Sequence, residues 1–355
     1  MIAGVLGDTA EVVLLDAMTG EQVWRTKLSA NMGEGVDMAP LIYDNTVYVS
    51  TVPGNNNVFY RGGQKGIFYA LDVSSGHVIW QWDTTTDNLW GNARVNSGGG
   101  LWHPPSVDED GNLYLGVANA APYPGNSEFP NATSRPGDND YANSLVKLDP
   151  PPGSVAWYSI INPHDLFDLD NQLSPVLTTA TIDGAERKVV LSTGKHGVVV
   201  CADQETGEEL WRTPVGKHQN DDLQEVPEGE TVEVFPGTLG GVETPFAVSN
   251  GVAYFPVLNL GTEYSSTELV GFEFTGGTSE VVALDVATGE QLWSTEVAAP
   301  LYAGCTVCSD VVFSAGLDGV VRGFSTTDGS QIFAWQTTGI NGTFAAVDDM
   351  LFIPA

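Results

Sequence analysis

Short stretches of alternating apolar and polar residues run the length of the chain, broken every few positions by Gly, Pro, Asn or Asp. Period-two alternation of this kind predicts half-buried strands, and helical periodicity is nearly absent. One unit recurs: an apolar strand, Asp, two residues, a small residue, Gly, three residues, then Trp. It reads VVLLDAMTGEQVW (Asp16, Gly20, Trp24), FYALDVSSGHVIW (Asp72, Gly76, Trp80) and LVKLDPPPGSVAW (Asp149, Gly153, Trp157). It returns as VVCADQETGEELW (Asp203, Gly207, Trp211) and VVALDVATGEQLW (Asp285, Gly289, Trp293). A sixth copy, VRGFSTTDGSQIF, keeps Gly329 but has Ser325 for Asp and Phe333 for Trp.

Each copy predicts a hairpin. Asp ends one strand, and its carboxylate can accept hydrogen bonds from the turn amides. Gly supplies the positive φ of a tight turn, and Trp on the return strand can fill the gap between neighbouring sheets. One hairpin cannot bury its own face, so successive copies must pack radially or stack. The glycines at 20, 76, 153, 207, 289 and 329 lie 56, 77, 54, 82 and 40 residues apart. A four-stranded blade takes about 40–45 residues, so the last interval is a bare blade and two intervals carry long insertions. The expected fold class is all-β, a β-propeller.

Charge changes the picture next. The chain has 45 acidic and 13 basic residues, a formal charge of −32. Such a field repels nucleic acid and anionic lipid head groups and argues against both as partners. No apolar run reaches the ~18 residues of a membrane span. Of three cysteines, Cys305 and Cys308 form a C-x-x-C that lacks the following His of a haem attachment, since Ser309 stands there. A local disulfide between them is left open. Cys201, in an apolar strand, reads as core.

The candidate chemistry lies in the insertions. The interval between Gly76 and Gly153 contains NSGGGLWHPPSVDEDGNLYLGVANAAPYPG (96–125) and SRPGDNDYANSLVKLD (134–149); INPHDLFDLDNQLSPVL (161–177) and LSTGKHGVVVCADQETG (191–207) follow. In order and content these segments resemble the PQQ-dependent (quinoprotein) alcohol dehydrogenases. The resemblance implies that Trp102 stacks on the flat quinone, with Gly99 and Gly100 beside it, and that Asn119 ligates the metal that polarises the quinone. It implies that Asp168 is both metal ligand and catalytic base, and that Lys195 sets a cation against the quinone oxygens. Asp170 matches the additional aspartate of the lanthanide-using branch, and it points the same way as Asp168 if the segment is extended. The implied cofactors are PQQ with Ca²⁺ or a lanthanide. The implied partners are a small alcohol and an external electron acceptor such as a cytochrome c, in the periplasm or outside the cell. His103 and His164 read as structural.

Three departures oppose this. The family's metal-binding Glu is missing from the stretch before Asp72, where Arg61 occupies the slot, with Asn55, Asn56 and Asn57 nearby. Glu243-Thr244 replaces an Asn-Trp pair expected near the quinone, and the vicinal cysteine pair over the quinone is missing. Family rings have eight blades, whereas six copies are visible here. The expectation is therefore one propeller domain over 1–355, a fragment lacking N- and C-terminal blade strands, with a closed six-bladed ring as the alternative. The competing functional reading is a non-catalytic propeller acting as a protein-binding scaffold.

Overall fold

The computed structural model describes residues 2–5, 10–29, 34–56, 59–60, 62–86, 88–150, 153–348 and 350–354. The chain divides into two compact units, Met1–Pro175 with Ser266–Glu268, and Val176–Ser265 with Leu269–Ala355. Arg61 and Asn57, at the slot of the missing Glu, lie outside the described residues.

The first unit holds two four-stranded antiparallel sheets. One consists of Leu41–Tyr43, Thr46–Ser50, Ile67–Asp72 and Val78–Asp83; the other of Ser106–Val107, Leu113–Gly116, Ser144–Leu148 and Val155–Ile160. A three-stranded sheet, Ile2–Val5, Glu11–Leu15 and Gln22–Lys27, precedes them. The second unit holds three more four-stranded sheets: Val176–Ile182 to Glu209–Pro214, Ala247–Ser249 to Gln291–Val297, and Thr306–Cys308 to Gln331–Gln336. Strand order follows chain order in all five, the up-and-down arrangement of a propeller blade.

The repeat hairpin joins the last two strands of each of these six sheets. A register shift falls in the same place in all six copies, one or two residues before the Asp position: Leu14/Leu15, Ala70/Leu71, Lys147/Leu148, Cys201/Ala202, Ala283/Leu284 and Gly323/Phe324. The carboxylates behave as expected. Asp16 Oδ1 accepts from the amides of Met18 and Thr19 at 2.8 Å, and Asp285 Oδ1 from those of Ala287 and Thr288 at 2.9 Å. In the sixth copy the Ser325 hydroxyl stands in for the carboxylate, accepting from Thr327 N at 3.2 Å, and Gly329 N donates to Ser325 O at 2.9 Å.

Within each unit a repeat Trp locks onto the hairpin of the following blade, as Trp24, Trp211 and Trp293 show. In the first unit, Trp24 Nε1 donates to Val73 O at 3.0 Å and Thr26 Oγ1 to Gly76 O at 2.6 Å. A Cβ added at Gly76, whose φ is +72°, would sit 2.6 Å from the Trp24 ring. The second unit repeats the device with Trp211 and Thr213 on Val286 and Gly289, and with Trp293 and Thr295 on Thr326 and Gly329. The invariant spacing thus has two physical causes, a turn that needs positive φ and a neighbouring indole that leaves no room for a side chain.

Core burial follows the inner strands: Val47, Val49, Phe68, Ala70, Leu113, Leu115 and Val146 are buried in the first unit, and Tyr254, Val281, Ala283, Val312 and Phe324 in the second. All three cysteines are free thiols, so the C-x-x-C forms no disulfide. Burial pushes the Cys201 thiol up to about 12, which keeps it protonated and inert.

The turn aspartates give a pH prediction. Hydrogen bonds from Ser74 and Ser75 hold the Asp72 carboxyl down at about 2. A depressed folded-state pKa contributes stability above the unfolded value of about 4, and that stability is lost as pH falls toward the folded value. Chemical denaturation of wild type and Asp72→Asn should therefore show a stability gap at neutral pH that closes between about pH 4 and 2. A gap independent of pH would show that the charge of Asp72 contributes nothing.

Candidate functional site

The connections at the inner strand ends build a polar cluster in the first unit. Residues 97–101 run beside 117–121: Gly99 N donates to Asn119 O at 2.9 Å and Ala118 N to Gly100 O at 3.0 Å. The triple glycine is explained by close packing. A Cβ would meet Asn119 O at 2.6 Å from Gly98 and Thr51 O at 2.5 Å from Gly100, and Gly100 N is already bound to Thr84 Oγ1 at 2.8 Å. Trp102 follows directly and is half-buried.

Asn119 meets both candidate aspartates. Its Nδ2 donates to Asp168 Oδ1 at 2.9 Å, and its backbone N donates to Asp170 Oδ1 at 2.7 Å. Asn119, Asp168 and Asp170 are 1%, 4% and 0% exposed. The structure therefore joins the three residues assigned to the metal, but not by strand alternation. The 161–175 segment has no strand, and Asp168 has a φ of +63°. For a residue with a Cβ this left-handed conformation costs about 1–3 kcal/mol, and it persists only where its surroundings impose it.

A third carboxylate, Asp165, is 2% exposed; desolvation raises its pKa while hydrogen bonds from Phe167 and the charge of Arg135 oppose the rise. Arg135, of the R-P-G-D-N segment, is fully buried. Burial lowers it to about 10, which still leaves it charged at neutral pH. Asp165, Asp168, Asp170 and Arg135 are all buried in this part of the first unit. Two carboxylates and an amide brought together by the hydrogen bonds of Asn119 offer hard oxygen donors, and such a donor set fits a bound cation of the Ca²⁺ or lanthanide kind. No group of three or more His, Cys, Asp or Glu side chains that could hold a metal ion occurs among the described residues; the cluster here consists of two carboxylates and the Asn119 amide.

In the second unit Lys195 is 2% exposed, in the turn that follows Ala185–Ser192. Its neighbour His196 is buried, which pushes its pKa down to about 3, and its Nδ1 accepts from Val198 N at 3.1 Å. The Lys195 turn lies against 241–245, with Val242 N donating to Gly194 O at 3.0 Å, and 302–305 lies beyond, with Cys305 N donating to Pro245 O at 2.9 Å. Each of these three connections carries one buried hydroxyl with no hydrogen-bond partner: Thr193 Oγ1, Thr244 Oγ1 and Tyr302 Oη. Ser97 Oγ and both amide atoms of Asn143 are in the same condition in the first unit. Buried polar atoms are almost always satisfied, so the three hydroxyls of the second unit, taken by themselves, fit an oxygenated ligand.

Arg135 and Asp165 stand inside the R-P-G-D-N and H-D-L-F-D-L-D segments, and neither is among the residues assigned a part from sequence. Their signal was available: a basic residue where only 13 exist, and an acid three positions before Asp168. Tyr302, Thr193 and Asn143 carry no such signal. His103 is half-buried, with burial lowering its pKa, and His164 Nδ1 lies 3.3 Å from Gly137 O.

Residues 31–232 match the family model described as glucose/ethanol/alcohol dehydrogenase, β-propeller domain, of the PQQ type; residues 265–348 match the model of the outer membrane protein assembly factor BamB. The protein named XoxF in Paracoccus denitrificans is 26% identical over 93% of this chain and 65% of its own length. A lanthanide-dependent methanol dehydrogenase of Methylorubrum extorquens is 24% identical over 93% of this chain and 65% of its own length. This chain thus spans just under two thirds of the length of these relatives. Among solved structures, the quinohemoprotein alcohol dehydrogenase of Comamonas testosteroni superposes with a TM-score of 0.81 at 20% identity, covering 97% of this chain and 59% of the other. The fold is that of these β-propellers.

Proposed function

Since this chain belongs to the PQQ-type glucose/ethanol/alcohol dehydrogenase β-propeller family, we propose that it is a quinoprotein dehydrogenase that oxidises an alcohol and passes the electrons to an external acceptor such as a cytochrome c. The observation that carries this reading is the buried Asn119–Asp168–Asp170 cluster with its two hydrogen bonds.

In this reading Asn119, Asp168 and Asp170 hold Ca²⁺ or a lanthanide, the second carboxylate favouring the larger trivalent ion. Trp102 offers its indole face to the quinone, with the packed backbone at Gly99 and Gly100 setting its position. Lys195 serves the quinone oxygens, supported by its burial beside Thr193. A metal and quinone held by these residues would supply the electrophilic carbonyl that hydride transfer from an alcohol needs. Asp168 takes the hydroxyl proton of the alcohol on a carboxylate oxygen, and Asn119 Nδ2 fixes the orientation of that carboxylate. Burial excludes water from the carboxylates and so strengthens their interaction with the cation. A periplasmic or extracellular location accompanies this reading.

A second reading, a protein-binding scaffold, draws on the match of residues 265–348 to the assembly-factor model. The two separate on one assay: dye-linked oxidation of primary and secondary alcohols after reconstitution with PQQ and Ca²⁺ or La³⁺. Saturable dye reduction that requires both quinone and metal is expected. Inactivity with either metal would leave the scaffold reading standing.

A further inference from the structure

The strained conformation of Asp168 is held by a carboxylate outside the metal set. Asp165 Oδ1 accepts from Phe167 N at 2.9 Å, and Asp165 Oδ2 accepts from Leu169 N at 2.9 Å. These are the amides on either side of Asp168. Asn162 Nδ2 adds a third donor to Oδ1 at 3.3 Å. Both oxygens of one buried side chain therefore clamp the turn that carries the candidate base.

Arg135 fixes the clamp to the Asn119 side of the site. Its Nη2 donates to the Asp165 carbonyl and, at 3.0 Å, to Pro122 O; its Nε reaches the same Pro122 oxygen at 3.3 Å. Pro122 lies three residues beyond Asn119. The guanidinium is itself oriented by Asn139, whose Oδ1 accepts from Nη1 and whose backbone N donates to Pro163 O at 2.9 Å. One rigid fork thus spans the two segments that bring Asn119 and Asp168 together, a geometry that a lysine ammonium cannot reproduce.

We propose that Asp165, locked in place by Arg135, is the positioning residue that holds Asp168 in its left-handed turn and sets its carboxylate against Asn119. This rests on the reading of Asp168 as base and metal ligand. Asp165 touches neither substrate nor cofactor in this scheme; it acts through the backbone of its neighbours. An asparagine there keeps the volume but turns a donor toward one of the two flanking amides.

The test uses Asp165→Asn and Arg135→Lys in the full chain, with three readouts. Hydrogen–deuterium exchange across residues 165–171 is compared with exchange in the Val198–Asp203 strand. Tb³⁺ is titrated by tryptophan-sensitised luminescence, and kcat and KM are measured with PQQ and La³⁺. For Asp165→Asn the expectation is faster exchange confined to 165–171, Tb³⁺ affinity reduced about 10–100-fold as for lost outer-shell partners, and a lower kcat at little-changed KM. Arg135→Lys should shift the same readouts less. A purely packing role would lower the melting temperature while leaving local exchange and Tb³⁺ affinity of the folded protein unchanged, and that result would overturn the proposal. If Asp165→Asn does not fold, Arg135→Lys decides on the same readouts. Should wild type bind no Tb³⁺ and oxidise nothing, the metal reading of the site fails, and exchange alone still decides whether Asp165 clamps Asp168.

Discussion

Asp168→Asn is expected to reduce kcat for alcohol oxidation about 10²–10⁴-fold, the usual contribution of a positioned general base. The substitution removes the only group in the cluster assigned to take the hydroxyl proton, and it replaces a charged metal ligand with a neutral one. Asparagine is nearly isosteric and tolerates positive φ well, so the turn at 168 should survive. The fold should therefore melt near the wild-type temperature, and only turnover should collapse. Steady-state kinetics at saturating PQQ and La³⁺, paired with thermal melts, check this. Retained turnover would remove Asp168 from the role of base.

The largest stability effect is expected at the blade junctions. Trp293 is 9% exposed, and its Nε1 donates to Thr326 O at 3.1 Å. Its ring lies over Gly329 and 5.8 Å from the Tyr254 ring. Trp293→Ala should lose about 3–5 kcal/mol, the range for truncating a large buried aromatic, since both the indole bond and the wedge between sheets disappear. Trp293→Phe should lose clearly less, because it keeps most of the apolar wedge. Denaturant melts of the two variants measure the difference; equal and small losses would mean that the tryptophans do not hold neighbouring blades together.

The propeller was legible because its repeat is a local device. The turn carboxylate, the positive-φ glycine and the tryptophan sit within one hairpin, and each performs there the task its chemistry suggests. Even the sixth copy, without Asp and Trp, keeps the same backbone turn and register shift. The contact of Trp with the next hairpin was visible in outline, but not the threonine two residues later, since Thr26 and Thr213 bond to a glycine oxygen about 50 and 76 residues away.

The candidate site was legible as residues and not as geometry. Asn119, Asp168 and Asp170 do converge, yet a turn at positive φ brings them together where alternation along an extended segment was expected. That conformation depends on Asp165 and Arg135, which lie 30 residues apart and meet only in the folded chain. The hydroxyls of Thr193, Thr244 and Tyr302 escape a sequence reading for the same reason. Each is ordinary in its own segment, and only burial beside two other connections makes it notable.

In the proposed function a buried carboxylate and amide cluster holds a metal for a quinone cofactor. It is tested most directly by equilibrium binding of PQQ, followed by quinone absorbance, with and without La³⁺ or Ca²⁺, in wild type and Asp170→Ala. The account predicts stoichiometric, metal-dependent quinone binding by wild type and weakened lanthanide-dependent binding by the variant. Absence of quinone binding with either metal, or binding indifferent to metal and to Asp170, would contradict it.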